Sequence, residues 1–256
     1  MAVGERALTA GVAEHISCKS MPPPLIGLSI ENRIARLLLE RPSAANAFTS
    51  AMMAEFFAAL NRAADEAHIL VISAAGDDFT IGRDRQEAKA GGAPFDAFKL
   101  ITDLNTALTG FPGIVVTSVQ GRAFGFGVGI IMRSDIALAA DDARFALDEV
   151  KLGIPPMFIM AEILGHLPPK SALDIVLSSR EFGAVEAKEM GLVSRVLPRE
   201  RMQAAAEELV RELATRDPAV LQASKRYLAS VHELPPAARA AYALIEQTRF
   251  AERGKH

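Results

Sequence analysis

Cysteine is almost absent from this chain. Cys18 is the only one among 256 residues, which excludes an internal disulfide and any metal site built on several cysteines. The five histidines are scattered without the spacing of metal ligands, so we expect no metal ion. No apolar run approaches the roughly twenty residues that span a bilayer, and the first residues lack the order of a secretory signal. We therefore expect no membrane partner and a cytoplasmic location.

The chain also lacks an excess of charge of either sign. Its 28 Lys and Arg residues against 31 Asp and Glu residues give a formal net charge of −3. That balance gives no reason to expect nucleic acid as a partner. Hydrophobic residues make up 50% of the sequence, so the chain can bury a substantial core, either as one large domain or as a core with a smaller appendage.

The sequence divides into three regions. Residues 1–24 are a predicted flexible extension that ends in three consecutive prolines. Residues 25–198 are the predicted core, and residues 199–256 are a predicted helical region. In the core a hairpin is followed by helices that alternate with buried strands, which indicates an α/β fold with mostly right-handed crossovers. The predicted strands are 25–30, 34–39, 69–72, 114–119 and 136–140, and the helices between them are 50–64, 94–109 and one that ends at 132.

Strand signals fade after Pro156. Apolar residues at helical spacing predict a largely helical region beyond this point, and prolines stand at the start of two of the helices, where proline is tolerated. The predicted helices are 158–164, 171–177, 184–190, 200–215, 218–230 and 235–252.

A glycine-rich segment carries the first functional signal. Residues 121–129 read Gly-Arg-Ala-Phe-Gly-Phe-Gly-Val-Gly after an apolar strand. Glycines at this density let a backbone approach a ligand and offer N–H groups to it. Glu149 lies about twenty residues downstream among apolar neighbours, where a carboxyl group has a raised pKa and can act as a general base. Together they favour an enzyme that polarises a carbonyl and moves a proton nearby.

Other interpretations of these residues stay open. Gly125, Gly127 and Gly129 are similar to part of a dinucleotide-binding fingerprint, but that fingerprint requires glycine where Ile130 stands. NAD(P) or flavin binding is therefore disfavoured. The glycines can also serve tight packing alone, and Glu149 can be an ordinary surface carboxylate.

A second exposed turn, residues 78–84, follows another buried strand. Alone it is typical of an ordinary loop. Two such turns after adjacent strands can aim two N–H donors at one oxygen, which is the arrangement of an oxyanion hole. Arg83 and Arg85 in or beside this turn can meet phosphates, although solvated charges are the commoner outcome.

Motifs in the same order along the chain resemble those of the crotonase superfamily, the enoyl-CoA hydratases and isomerases. The family patterns are Arg-Pro-x-x-x-Asn-Ala, Phe-Ser-Ala-Gly-Ala-Asp, Gly-x-Ala-x-Gly-Gly-Gly, Phe-x-x-Pro-Glu-x-x-x-Gly-x-x-Pro and Ala-x-Glu-Ala-x-x-x-Gly-Leu-Val. They resemble, in turn, residues 41–47, 79–84, 121–127, 145–155 and 184–193. The likeness runs from about Leu25 to the C-terminal helices.

The resemblance implies a spiral of ββα units, a C-terminal helical trimerisation region, and a homotrimer or hexamer that acts on an acyl-CoA thioester. Backbone N–H groups of Arg83 and Phe126 would form the oxyanion hole, and Glu149 would be the acid/base. Coenzyme A is part of the substrate, so no separate cofactor is implied. The positions where the family contacts coenzyme A are Ser43, Ala45, Ala47, Arg83, Asp84, Arg85, Gln86 and Gly125.

The chain also departs from the family pattern. Hydratases use two glutamates, and the first of them falls on Gly129, which has no side chain. Phe126 replaces a glycine, Asp148 replaces the usual proline, and Gln86 stands where a lysine is common, so Arg85 or Arg83 is expected to supply the phosphate contact. Pro156 and the two residues after it replace a glycine-rich turn, which predicts a reshaped acyl pocket.

One remaining carboxylate favours single-base chemistry. We expect proton transfer on an acyl-CoA enolate, most simply a shift of a double bond, with Glu149 as the base. Hydration of 2-enoyl-CoA, by Glu149 alone or helped by Asp148, is the first alternative, and thioester hydrolysis is the next. A non-catalytic CoA-binding member also stays open.

Overall fold

The computed structural model describes residues 24–90 and 94–253; for residues 88–90 and 94 it describes the backbone alone. The predictions for the N-terminal extension and for Cys18 lie outside the described residues. Within them, no helix is long and apolar enough to cross a bilayer.

Strands and helices alternate between Ile26 and Ala146 in the described residues, and helices dominate thereafter. The strands are β1 (Ile26–Glu31), β2 (Ile34–Leu39), β3 (Ile69–Ala74), β4 (Ile114–Val119), β5 (Arg122–Phe124), β6 (Ile136–Ala140), β7 (Arg144–Ala146), β8 (Phe182–Gly183) and β9 (Arg195–Leu197). The helices are α1 (Ser50–Glu66), α2 (Arg85–Ala90), α3 (Pro94–Thr109), α4 (Phe126–Met132), α5 (Met157–Ile163), α6 (Pro169–Ser178), α7 (Ala184–Glu189), α8 (Met202–Ala214), α9 (Pro218–His232) and α10 (Pro236–Glu252). Short 3₁₀ turns lie at Pro42–Ala44, Glu149–Leu152 and Arg199–Arg201.

The main sheet has the strand order β1-β2-β3-β4-β6-β9. β1 and β2 form the predicted antiparallel hairpin, and every other neighbouring pair in this sheet is parallel. All residues of β4 are buried, as expected for a parallel strand with both faces covered. α1 and α3 pack on one face, and Met202, Leu209 and Val210 of α8 pack on the other.

A second, smaller layer follows the main sheet. β5, which follows β4, pairs in parallel with β7, which follows β6. Thr80, which follows β3, forms a parallel bridge with Ala123 of β5. The chain therefore repeats a unit of long strand, short strand and helix, which agrees with the ββα spiral that the resemblance implies.

The predictions fail at the short elements. β5, β7, β8 and β9 were not predicted, and the last two lie within the largely helical region after Pro156. Strands of two or three residues are too short to show a period-2 pattern, and their pairing with distant strands determines them. Residues 85–90 form α2 rather than the continuation of a loop. The other predicted helices occur within a few residues of their expected bounds, and Thr49 caps α1 by accepting a hydrogen bond from Met52 N at 3.1 Å.

Asn46 joins the loops that follow β2 and β3. Its side chain is fully buried, donates to the carbonyl oxygens of Ala75 at 2.9 Å and Asp78 at 2.8 Å, and accepts from Arg41 N at 2.8 Å. Its backbone is left-handed, with φ 52°, which asparagine tolerates better than most residues. This residue therefore fixes the positions of the two loops relative to each other.

We predict that Asn46→Ala destabilises the protein by about 3 kcal/mol, because buried carbonyl groups lose their donors and alanine is strained at this φ. Urea unfolding followed by circular dichroism measures the change. Asn61→Ala, at an exposed position of α1, is the control and should change stability by less than about 0.5 kcal/mol. Equal effects of the two substitutions would contradict the role given to Asn46.

Candidate active site

Two backbone turns meet at the end of the parallel strands. One contains Gly82 and Arg83, and the other contains Gly125 and Phe126. A Cβ atom at Gly82 would lie 3.1 Å from the carbonyl oxygen of Phe124 and 3.6 Å from Phe126 N. Gly82 also has φ +85°, a conformation that L side chains rarely adopt. Glycine at this position therefore allows the two turns to touch.

The first turn is held by hydrogen bonds on both sides of Arg83. Gly82 N donates to Thr80 Oγ1 at 3.1 Å, and Thr80 Oγ1 donates to the carbonyl oxygen of Asn46 at 2.7 Å. Phe48 N donates to the carbonyl oxygen of Gly82, and Asp84 N donates to that of Phe48. Among the described residues these bonds leave the N–H of Arg83 without an acceptor.

The second turn starts a helix. Gly125 has φ +50° and ψ −111° as the N-cap of α4, and its N–H donates to the carbonyl oxygen of Ala146 at 2.9 Å. Phe126 is the first residue of α4, so its N–H has no acceptor inside the helix. The N–H groups of Arg83 and Phe126 are thus neighbouring donors, and two donors at one point can stabilise negative charge on an oxygen atom.

Glu149 lies against the second turn. A Cβ atom at Gly125 would be 2.8 Å from Glu149 Oε1, so only glycine leaves room for the carboxylate here. Glu149 Oε2 is buried and has no hydrogen-bond partner among the described residues. Burial raises the pKa of the Glu149 carboxyl group, and the neighbouring charge of Asp148 adds to the rise. The interpretation of Glu149 as a solvated surface carboxylate is therefore wrong.

Asp148 forms an ion pair with Arg85. The pair joins the segment that carries Glu149 to the turn that carries Arg83. The Asp148 carboxylate is thereby oriented toward Arg85.

The arginines named from the sequence differ in what they contact. The guanidinium of Arg83 lies 3.1 Å from Met53 Sδ and 3.7 Å from Glu87, so its side chain packs against α1 and the start of α2. Arg85 is half-exposed despite its ion pair and remains within reach of an anion in solvent.

The other contact residues predicted from the sequence lie in the loop after β2 and in the segment around Arg83. They differ in their exposure to solvent. Ser43 and Gln86 are exposed, Ala45 is half-buried, and Ala47 is buried with its carbonyl oxygen accepting from Arg41 Nη1 at 2.7 Å. The carboxylate of Asp84 pairs with Arg41 at 2.8 Å and accepts from Gln86 N, which orients the start of α2. Arg41 lowers the pKa of the Asp84 carboxyl group.

Arg133 and Glu162 are site neighbours that the sequence analysis missed. Arg133 follows the apolar helix α4, and its side chain is only 2% exposed. Its Nη1 donates to the carbonyl oxygen of Gly129 at 2.8 Å, and its Nη2 lies 2.8 Å from Glu162 Oε2. The feature of the sequence that could have indicated this pair is the charged Arg133 directly after six residues of α4 that are buried.

No group of three or more His, Cys, Asp or Glu side chains that could hold a metal ion occurs within residues 24–90 and 94–253.

The model of the enoyl-CoA hydratase/isomerase family matches residues 29–255. The chain belongs to this family. Carnitinyl-CoA dehydratase from Escherichia coli (strain K12) is 32% identical over 222 residues, which cover 81% of this chain and 81% of that protein. Hydroxycinnamoyl-CoA hydratase-lyase from Pseudomonas fluorescens is 29% identical over 222 residues, which cover 82% of this chain and 79% of that protein.

Solved structures of the family share the fold. An enoyl-CoA hydratase from Mycobacterium smegmatis gives a TM-score of 0.82 at 26% identity, covering 88% of this chain and 90% of that one. A Thermobifida fusca protein solved in complex with CoA gives a TM-score of 0.82 at 25% identity, covering 91% and 95%. The expectation of crotonase-superfamily membership is confirmed, and the protein is an enzyme of the enoyl-CoA hydratase/isomerase family with the mixed α/β fold of its structural neighbours.

The raised pKa of Glu149 has a consequence for stability. Between the ordinary glutamate pKa of about 4.3 and the raised value in the folded protein, the folded state binds more protons than the unfolded state. Stability therefore falls as pH rises through this window. Below the window both states are protonated and the penalty vanishes.

Glu149→Gln should consequently raise the melting temperature near pH 7, and the gain should shrink as the pH falls toward 4. Thermal melts of both proteins across this pH range measure the difference. A gain that stays constant with pH, or a loss at pH 7, would contradict the assignment of a buried, charge-destabilised carboxyl group.

Proposed function

We propose that the enzyme stabilises the enolate of an acyl-CoA thioester and moves a proton with Glu149 as its single acid/base. The N–H groups of Arg83 and Phe126 would donate to the thioester oxygen. The observation that carries this proposal is the buried, unpartnered Glu149 Oε2 beside two neighbouring N–H donors. As negative charge develops on the oxygen, both donors lower the cost of removing a proton from the adjacent carbon.

Isomerisation of a double bond is the reaction we favour. Glu149 would take the proton from one carbon and return it to another, which needs one carboxyl group and no bound water. A raised pKa suits both halves of this cycle, because the group must gain and lose a proton near neutral pH. Gly129 supplies no second carboxylate, and Asp148 is paired with Arg85.

Coenzyme A is the substrate carrier in this proposal. Both relatives described above are named as enzymes that act on CoA esters. Two similar Thermobifida fusca structures are complexes with CoA and with acetoacetyl-CoA. The loops that contain Ser43, Ala45 and Ala47, the turn from Asp84 to Gln86, and Gly125 would contact the CoA moiety. Half-exposed Arg85 is the best placed of the two arginines to meet a phosphate.

Hydration is the second candidate function. The relatives named above are a hydratase-lyase and a dehydratase, and Glu149 alone could activate a water molecule. Thioester hydrolysis and CoA binding without turnover are the remaining outcomes of the same assay.

We predict that wild-type enzyme interconverts 3-enoyl-CoA and 2-enoyl-CoA esters and that Glu149→Gln lowers kcat by about 10²–10⁴-fold while CoA binding is retained. A panel of both ester series, with isomerisation, hydration and free thiol followed separately, checks the reaction. Glu208→Gln, at an exposed position of α8, is the matched control and should be fully active. Unchanged activity in the Glu149 variant would overturn the single-base proposal, and hydration alone would favour the second candidate.

We also propose that the enzyme is a cytoplasmic homotrimer or hexamer. α10 packs on α9 through the stacked rings of Tyr227 and Tyr242, whose centroids are 5.4 Å apart, yet it exposes Leu244 and Ile245. Such an apolar helix surface is typical of a subunit interface.

Light scattering during size exclusion should therefore give a mass near three or six times the 27.4 kDa of one chain. Replacing Leu244 and Ile245 together by serine should lower that mass. A monomeric wild-type protein at micromolar concentration would contradict the proposed assembly.

A further inference from the structure

A cavity of about 650 Å³ lies between α3 and α5. Polar side chains from α3, among them Thr102, Asn105 and Thr106, form one wall. Met157 and Phe158 form the apolar part of the other wall. The volume is within the usual range for sites that hold small ligands, and the surface is mainly apolar, with polar side chains along the α3 wall.

The cavity adjoins the active-site helix. Ile159 of α5 lies 4.0 Å from the position of a Cβ atom at Gly129. Glu162, one turn after Ile159, lines the cavity and pairs with Arg133 at 2.8 Å. Glu162 therefore joins the cavity to the buried guanidinium of Arg133.

Arg133 occupies the space that the glycine leaves. A Cβ atom at Gly129 would lie 3.1 Å from Arg133 Nη1, so the guanidinium lies where a longer side chain at this position would begin. The face of α4 at Gly129 therefore has a buried cation beside it.

The guanidinium is incompletely paired. Arg133 Nε is buried and has no hydrogen-bond partner among the described residues. Burial lowers the pKa of Arg133 and the Glu162 carboxylate opposes that effect, while the Glu162 side chain is 40% exposed. Glu162 can therefore turn into solvent and leave the fork of the guanidinium to another carboxylate, which it binds in bidentate fashion.

Resting on the proposed acyl-CoA function, we infer that Arg133 is a specificity residue that selects acyl-CoA thioesters whose acyl chain ends in a second carboxylate. The substrate carboxylate would displace Glu162 from Arg133. Gly129 is three positions after Phe126, about 4.5 Å along the helix axis. Dicarboxylic acyl groups of five and six carbons are therefore the first to test.

The test compares dicarboxylic and plain acyl chains of equal length. Isothermal titration should give glutaryl-CoA and adipyl-CoA a Kd about tenfold lower than pentanoyl-CoA and hexanoyl-CoA. Arg133→Met should remove this preference, so that dicarboxylic and plain esters of equal length bind with similar Kd. Methionine is apolar and of similar length, so the variant is expected to fold, and a thermal melt confirms that it does.

Glu162→Gln provides a test of opposite sign. Because glutamine no longer competes for the guanidinium, this variant should bind glutaryl-CoA more tightly than wild type and pentanoyl-CoA equally well. Simple damage to the site would weaken both. Arg133→Lys, which keeps the charge but loses the fork, should retain part of the preference.

Equal affinity of the wild-type enzyme for both ester types overturns this inference. A preference for dicarboxylic esters that survives Arg133→Met overturns it too. Either result leaves the proposed function intact. Unchanged or weaker glutaryl-CoA binding by Glu162→Gln contradicts the displacement of Glu162. Failure of free CoA and of every ester to bind overturns the proposed function and this inference together.

Discussion

The close approach of two backbone turns is the constraint on which the site depends. Parallel pairing of β3 with β4 brings the ends of these strands to one edge of the sheet. The bridge between Thr80 and Ala123 then joins the segments that follow them. At Gly82 and Gly125 the backbone has positive φ, and each glycine lies where a Cβ atom would press on a neighbouring group. Without this contact the N–H donors of Arg83 and Phe126 would not be neighbours.

The same packing sets the chemistry of Glu149. Its carboxylate lies on Gly125 because glycine leaves the space, and the surrounding residues exclude water from Oε2. Burial of a carboxylate is unfavourable for stability and favourable for a group that must take up a proton near neutral pH. The buried guanidinium of Arg133, which directly follows α4, lies beside Gly129. Gly129 has no side chain and so leaves room for this guanidinium.

The sequence predicted these features unequally. The long apolar strands and the amphipathic helices follow from periodicity, and the apolar surroundings of Glu149 correctly predicted the direction of its pKa shift. The short strands β5, β7 and β8 could not be predicted, because two or three residues carry no periodic signal and distant partners determine their pairing. Arg133 and Glu162 are far apart in the chain, so their pairing and the cavity beside them appear only when α4 and α5 pack together. The motifs indicated which loops matter but not that the Arg83 side chain turns inward.

The central claim is that two backbone N–H groups polarise a thioester carbonyl. Isotope-edited infrared spectroscopy of butyryl-CoA, labelled with carbon-13 at the thioester carbon, tests it most directly. Bound to the enzyme, the labelled carbonyl should absorb at lower frequency than in water, because two donors weaken the carbonyl double bond. The same shift should persist in Glu149→Gln, since the donors are backbone groups. A bound carbonyl with the frequency of the free ester would contradict the account.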